Sequence, residues 1–441
     1  MNIFIITAGS HGDVQPYVAL GKGLREAGHS ATVCTCSSFE SFITDYGLNY
    51  GYMNDDLIKL VDSEAGREAM ESGGNLFGLI KSMITLMKEA KALSRVMFKD
   101  AWNAAQKVRP DILIFHSKVL AGSHIAEKLN IPAILAIPVP VIVPTVEFPA
   151  IGFPNLKLGR WYNKLTYKIL HKAYHQYDDL INEFRHDGLG LGKYPKSATP
   201  VQMADGKPIP VLHSYSELVW PRPQDWPDNT YVKGYWFLDE GENWQPSVEL
   251  KAFLEADREA PVYVGFGSMA GRNPQRMADL VIEALQIANV RGIIATGWGG
   301  LDAKNLPETI FKIDKAPHAW LFPRMLAVVH HGGAGTTAAG LRAGRPTVVC
   351  PFLIDQPYWG ERVYSLGVGS KPIPQKKLTA EKLAKAIQEV TTNQVIRQNA
   401  EMLGNNIRNE DGIANAITII ENIANLDKRV VLNKAVASNM T

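Results

Sequence analysis

Short apolar runs and segments with a 3.6-residue apolar repeat alternate along this chain from end to end, and that alternation leaves few architectures open. Strand, helix and strand in regular succession fold as α/β with parallel sheets, because a crossover helix is what carries the chain back to start a parallel neighbour. In the first half, Asn2–Ala8, Ser30–Cys36, Asp111–His116 and Ala133–Val139 read as strands, with helices over Tyr17–Ala27 and Ser38–Tyr46. Leu76–Met97 gathers its apolar residues on one helical face. Such a face suits plain core, a wall of an apolar pocket or a helix on a membrane surface. In the second half, strands are expected at Val262–Phe266, Gly292–Ala295, Phe311–Ile313, Ala327–His330 and Thr347–Pro351.

At 441 residues the chain is too long for one ordinary core, so two domains are expected. The alternation breaks between Trp220 and Pro246, where prolines, tryptophans and acids crowd together. The expected division is a first domain over 1–235, a linker over 236–255, a second domain over 256–426 and a tail over 427–441. With 46% apolar and 20% charged residues the balance is that of a globular protein, and a net charge of +2 gives no reason to expect nucleic acid. The opening Met-Asn-Ile-Phe-Ile-Ile-Thr lacks a basic flank and reads as a first strand, not a signal peptide. The apolar stretch Ile131–Pro154 holds six prolines, which rule out a membrane-spanning helix and suggest a buried strand followed by a proline-rich loop. Three cysteines, Cys34, Cys36 and Cys350, cannot build a disulfide framework or a zinc cage. They read as core thiols, and the compartment as reducing and cytoplasmic.

Three turns carry chemistry. Val262-Tyr-Val-Gly-Phe-Gly-Ser268 ends a strand in glycines that let backbone amides approach a phosphate. Val328-Val-His-His-Gly-Gly-Ala-Gly-Thr-Thr337 runs a strand into a helix whose free N–H groups and positive dipole end suit a diphosphate. Either His330 or His331 can donate a hydrogen bond there. Pro351-Phe-Leu-Ile-Asp-Gln-Pro357 closes the next strand with a carboxylate beside a carboxamide, which suits vicinal sugar hydroxyls; Asp355 as a helix N-cap is compatible with this.

Together with His318-Ala-Trp-Leu-Phe-Pro323, these turns resemble the donor signature of UDP-glycosyltransferases of the GT-B fold (glycosyltransferase family 1). Thr7-Ala-Gly-Ser-His-Gly-Asp-Val-Gln-Pro16 resembles their opening loop. Val146-Glu-Phe-Pro149 and Gly159-Arg-Trp-Tyr-Asn-Lys-Leu-Thr-Tyr167 resemble the sterol 3-beta-glucosyltransferase branch. The resemblance covers nearly the whole chain and implies two Rossmann-like domains whose parallel sheets face across a cleft. It implies His330 on the phosphate, with Gly332, Gly333, Gly335 and Thr336 in the phosphate loop. It further implies Ser268 at the first strand end of the second domain, and Asp355 with Gln356 on the sugar. Two positions depart from the pattern: Lys315 stands where a uracil-stacking tryptophan is usual, and Ala338 where a ribose-binding glutamate is usual. The Ala316 backbone and His318 then remain as base and ribose contacts.

The resemblance implies glucose transfer from UDP-glucose to a hydroxyl of an apolar acceptor, most readily a sterol, with inversion. The glycine loop would stabilise departing UDP, so no metal is required. In the opening loop Asp13 is the expected base, with His11 its partner or substitute; Pro16 in the first helical position would make Gln15 the cap and leave Asp13 free. His116 falls near the place where related enzymes keep a backing aspartate. Other aglycones remain open as acceptors: a polyketide, carotenoid, triterpenoid or glycopeptide. A UDP-sugar epimerase or binding protein on the same scaffold needs no apolar acceptor site, and the long apolar segments argue against it. Peripheral contact with a membrane is compatible with such an acceptor.

Overall fold

The computed structural model describes residues 1–56, 76–239, 244–256, 259–267, 274–296, 306–352 and 355–438, with side chains described outside 76–88 and 427–438. By contacts the chain divides into two compact units. The first comprises Met1–Glu217, Pro221–Leu238 and the chain from Asp411 on; the second comprises Leu218–Trp220 and Asp239–Glu410.

The first unit holds a seven-stranded sheet in the order β3-β2-β1-β4-β5-β6-β7. Its strands are β1 (Asn2–Ile6), β2 (Ser30–Cys36), β3 (Asn49–Met53), β4 (Ile112–His116), β5 (Ala133–Ile137), β6 (Val211–His213) and β7 (Thr230–Val232). All neighbours pair in parallel, with Ile5 opposite both Val33 and Ile114. Such strands are covered on both faces, which is why β1, β4 and β5 are near-continuous apolar runs. The short strands β3, β6 and β7 escape the sequence reading because two or three apolar residues carry no period. The chain order reverses at β1, whose neighbours are β2 and β4, so the loops after β1 and β4 part there and open a crevice.

The second unit repeats the plan with five parallel strands in the order β10-β9-β8-β11-β12. These are β8 (Val262–Gly265), β9 (Gly292–Ala295), β10 (Ile310–Ile313), β11 (Ala327–His330) and β12 (Thr347–Val349). Here the order reverses between β8 and β11. One face of this sheet packs Val264 and Val329 under helices Pro274–Ala288 and Ala380–Thr392; the other packs Tyr263 and Val328 against Leu321 and Phe322.

Three expectations change. The helix after β1 begins at His11, not Tyr17, and keeps Pro16 inside it. Pro16 lies past the four free N–H groups of the helix start, so it removes the bond its N–H would have made to the Gly12 carbonyl. The expected linker contains a helix, Val248–Glu255, capped by Ser247 and anchored by buried Leu250 in the second unit's core. Residues 411–426, expected in the second domain, group with the first: Ala416, Ile420 and Ala424 of the last helix join Val14 and Val18 in one core. Of the long helix Leu76–Val108, the described part buries Met97, Phe98 and Ala101, which is ordinary core packing; the side chains of 76–88, which carried the pocket and membrane readings, lie outside the described residues. Cys34, Cys36 and Cys350 are free and buried, and burial pushes the Cys36 and Cys350 thiols up to about 12.

Candidate active site

Asp13 sits in the first turn of helix His11–Glu26, just beyond the carboxyl end of β1. Its Oδ2 accepts from the Ser10 backbone N–H at 2.8 Å and from the Ser10 hydroxyl at 3.0 Å, which caps the helix start. The sequence reading left Asp13 free of capping; the earlier helix start places it three residues after the cap and overturns that. Gly9 makes room for this arrangement: its φ is +137°, and a Cβ there would lie 2.2 Å from Asp13 Oδ2.

The other oxygen, Oδ1, accepts from the Lys118 ammonium at 2.7 Å. Lys118 lies just past β4, on the opposite side of the crevice from Asp13 in the strand order. His116, the last residue of β4, completes the group. Its Nδ1 accepts the Lys118 backbone N–H at 3.1 Å, which leaves the ring proton on Nε2, 3.9 Å from Asp13 Oδ1. Burial holds this imidazole neutral, its pKa down at about 4. Burial also pushes the Asp13 carboxyl up, but Lys118, His116 and the Ser10 hydrogen bond outweigh it and leave the group below the usual carboxylate value. Tyr17, one turn on, donates to the Ala136 carbonyl at 2.5 Å, and its phenol is raised by burial and by Asp13.

The His11 ring packs on Phe42, centroids 4.8 Å apart, and the cation against Asp13 is Lys118. Lys118 is absent from the sequence reading because 105 residues separate it from Asp13. The available signal was its position directly after a strand that flanks β1.

In the second unit, the turn after β11 enters helix Ala334–Arg342 through Gly333, a cap with no side chain to satisfy the first N–H groups. Thr337 turns inward, its hydroxyl donating to the Gly333 carbonyl at 2.9 Å, while Gly335 is exposed and Thr336 half-buried beside it. Gly332 has φ +92°, and a Cβ there would lie 2.7 Å from Val349. His330 is fully buried, and its Nδ1 accepts the Gly332 N–H at 2.9 Å. The proton is therefore on Nε2, which has no hydrogen-bond partner among the described residues. Burial, then the neighbouring His331 and His318, hold its pKa well below the ordinary value. His331 is likewise neutral, pushed by burial to about 4, and its Nδ1 also lacks a partner among the described residues. Its ring is packed close over glycine: a Cβ on Gly333 would lie 2.6 Å from Nε2.

Asp355 stands at the cap position of helix Gln356–Ser365, yet its Oδ2 accepts from the Trp359 indole at 3.0 Å instead of from the first-turn amides. Gln356 is buried and its Oε1 accepts the Phe352 N–H at 2.8 Å. Trp220, which the expected division put in the first domain, groups with the second unit and stacks on Tyr358 of this helix, centroids 5.1 Å apart. His318 stacks on Phe322 at 4.3 Å. Lys315 is exposed and Ala338 buried. Ser268 lies outside the described residues.

The first unit also contains a cavity of about 50 Å³, open to solvent, beyond the carboxyl ends of β4 and β5. Phe115, Leu120, Leu135 and Ile142 give it apolar walls, and His171 and Tyr174 line it from the proline-rich loop's far side. Ile142 comes from that loop, whose carbonyl holds His171 Nε2 at 3.0 Å.

Residues 3–147 match the family model "Glycosyltransferase family 28 N-terminal domain", and residues 288–431 match "Erythromycin biosynthesis protein CIII-like, C-terminal domain". A sterol 3-beta-glucosyltransferase of Aspergillus clavatus is 37% identical over all of this chain and 31% of its own length. The sterol 3-beta-glucosyltransferase UGT80A2 of Arabidopsis thaliana is 35% identical over 95% of this chain and 64% of its own. The chain thus spans about a third of the fungal relatives it matches. Among solved structures, the glycotransferase of kitacinnamycin aligns over 96% of this chain and 98% of its own, with a TM-score of 0.69 and 18% identity. VinC, solved with dTDP, aligns over 96% of this chain and all of its own, with a TM-score of 0.67 and 17% identity. Both share its GT-B fold.

Proposed function

Because the chain belongs to the GT-B glycosyltransferases, in the group of the sterol 3-beta-glucosyltransferases, we propose that it moves glucose from UDP-glucose to the hydroxyl of a sterol with inversion. The observation that carries this reading is the turn after β11. It offers an uncapped helix start and two neutral imidazoles, one buried and one half-buried, with unpartnered nitrogens among the described residues. An unpaired buried donor costs ~1–3 kcal/mol, and a diphosphate oxygen would remove that cost while the helix end stabilises its charge.

In the proposed reaction the acceptor oxygen attacks the anomeric carbon and its proton passes to Asp13. The bond from that carbon to the diphosphate breaks, and its electron pair leaves with UDP. Charge on the departing UDP falls to the helix start and to His330 Nε2–H, with no metal needed. Gln356 and Asp355 would hold the sugar hydroxyls; the indole and backbone contacts above fix their orientation. Lys118 makes Asp13 a weak base while the ion pair lasts, so productive binding would draw the ammonium aside. The proposed acceptor site is the cavity beyond β4 and β5, whose apolar walls would have to part to take a sterol.

An acceptor panel with UDP-glucose, read by mass spectrometry, tests the acceptor. A sterol glucoside is the expected product; glucosylation of a polyketide or carotenoid with sterols inert sinks that half. Donor competition tests the sugar, and a preference for UDP-galactose, UDP-GlcNAc or a dTDP-sugar sinks the other.

A further inference from the structure

Helix Arg160–Tyr174 in the first unit is built inside out. Its inner face makes polar contacts: the Tyr162 hydroxyl donates to the Pro154 carbonyl at 2.7 Å, Asn163 to the Val146 carbonyl at 2.8 Å, and Thr166 accepts the Ala150 N–H at 2.8 Å. Its outer face carries Trp161, Leu165 and Ile169, which are 63%, 41% and 48% exposed. These three are four residues apart and therefore form one stripe along the helix. Leu156 and Leu158, just before the helix, are also half exposed. Single exposed apolar residues need no explanation, but an aligned set does.

A second stripe runs alongside the first. Arg160, Lys164, Lys168 and Lys172 repeat with the same spacing, one residue from each apolar position, and all are exposed. With Lys157 they make five cations, and from Phe148 to Tyr177 the sequence has no Asp or Glu. The whole chain carries only +2, so this face concentrates charge of one sign. An apolar stripe flanked by cations, on the exposed side of a helix that buries Tyr162, Thr166 and Tyr167, fits the boundary between anionic headgroups and acyl chains. A stable protein partner asks for a broader apolar area than three side chains give. Among the described residues no helix is long and apolar enough to cross a membrane, so the contact is with a surface.

We propose that this helix docks the chain on an anionic bilayer through Trp161, Leu165 and Ile169, with Arg160, Lys164, Lys168 and Lys172 on the headgroups. The same helix contributes His171 and Tyr174 to the cavity wall, so docking sets the cavity beside the lipid. The inference deepens the acceptor reading, resting on it only for its purpose: a sterol would enter from the bilayer without crossing water.

The test is co-sedimentation of the full chain with vesicles of phosphatidylcholine alone, and with about a third phosphatidylserine, in the absence of donor and acceptor. Binding is expected on the anionic vesicles, weak on the neutral ones, and lost near 1 M salt, where the Debye length is about 3 Å. Replacing Lys164 and Lys168 by Ala should weaken it roughly 30-fold, since each cation near such a surface is worth about 1 kcal/mol. The triple variant Trp161→Ser, Leu165→Ser, Ile169→Ser should not bind, while its thermal unfolding and its transfer to cyclodextrin-held sterol match the wild type. Failure of the wild type to bind, or binding that neither variant weakens, overturns the proposal. So does a wild-type dimer that the triple variant abolishes, because the face would then belong to a second copy. Vesicle binding needs no catalysis, so loss of transfer to any sterol would count against the acceptor reading and leave this one standing.

Discussion

In the first unit the place where the strand order reverses holds a full charge pair, Asp13 with Lys118 at 2.7 Å. In the second unit the corresponding place holds two neutral imidazoles and the open start of a helix. Both turns follow a buried parallel strand, both need glycine at positive φ, and both lie where ligands bind in open α/β sheets. They differ in what a proton does there. Around Asp13, Lys118 and His116 a carboxylate is held charged and can exchange a proton as its surroundings change. Around His330 burial keeps the rings uncharged, so the donor set is fixed and suits an anion that arrives already charged. On the proposed reading the first turn moves a proton and the second holds a leaving group.

The largest effect expected from this contrast is at Asp13. Asp13→Asn keeps an acceptor for Ser10 but cannot take a proton at neutral pH, so kcat should fall ~10²–10⁴-fold. UDP binding by calorimetry should stay near wild type. Retention of more than about a tenth of the rate, with His11→Ala the dead variant, would move the base to His11 and break the contrast in the first unit.

His330→Ala should leave chemistry at saturation less affected and weaken UDP binding by ~1.5–3 kcal/mol, the worth of a hydrogen bond to a charged group. Calorimetry with UDP alone reads this directly. Unchanged affinity would assign the role to His331 or to the helix amides.

The smallest effect sharpens the comparison through pH. Among the described residues, Lys118 just past β4, His116 at its end and Tyr17 on the same helix are the titratable groups coupled to Asp13. The ammonium lowers the Asp13 pKa, so removing it raises that pKa, and the acid limb of kcat/KM should move to higher pH in Lys118→Ala. Lys118→Arg, which restores the charge, should return the limb toward its original position. A limb that moves in neither variant would mean that Asp13 does not set it. His330→Ala should leave the same limb in place.

Most of the scaffold was legible because its causes are local. The runs Asn2–Ile6, Ile112–His116 and Ala133–Ile137 are apolar on both faces, and only a buried parallel strand needs that. The turn His330–Thr337 advertises itself because glycine and helix-starting residues are required wherever a backbone must approach an anion. The second unit's part of the candidate site was legible for the same reason: loop and helix start are contiguous in sequence.

Long-range pairing was not legible, because nothing in a segment specifies which distant segment its polar atoms will meet. Lys118 reaches Asp13 only because β4 was inserted next to β1, and Asp13 joined the capping box of Ser10 only because the helix began at His11. The chain from Asp411 returned to the first unit because Ala416 and Ile420 found their apolar partners on helix His11–Glu26. For Trp161, Leu165 and Ile169, periodicity determines that they share a face. Which way that face points was decided by Tyr162, Asn163 and Thr166, whose hydrogen bonds to the proline-rich loop turn the polar side inward and the apolar side out.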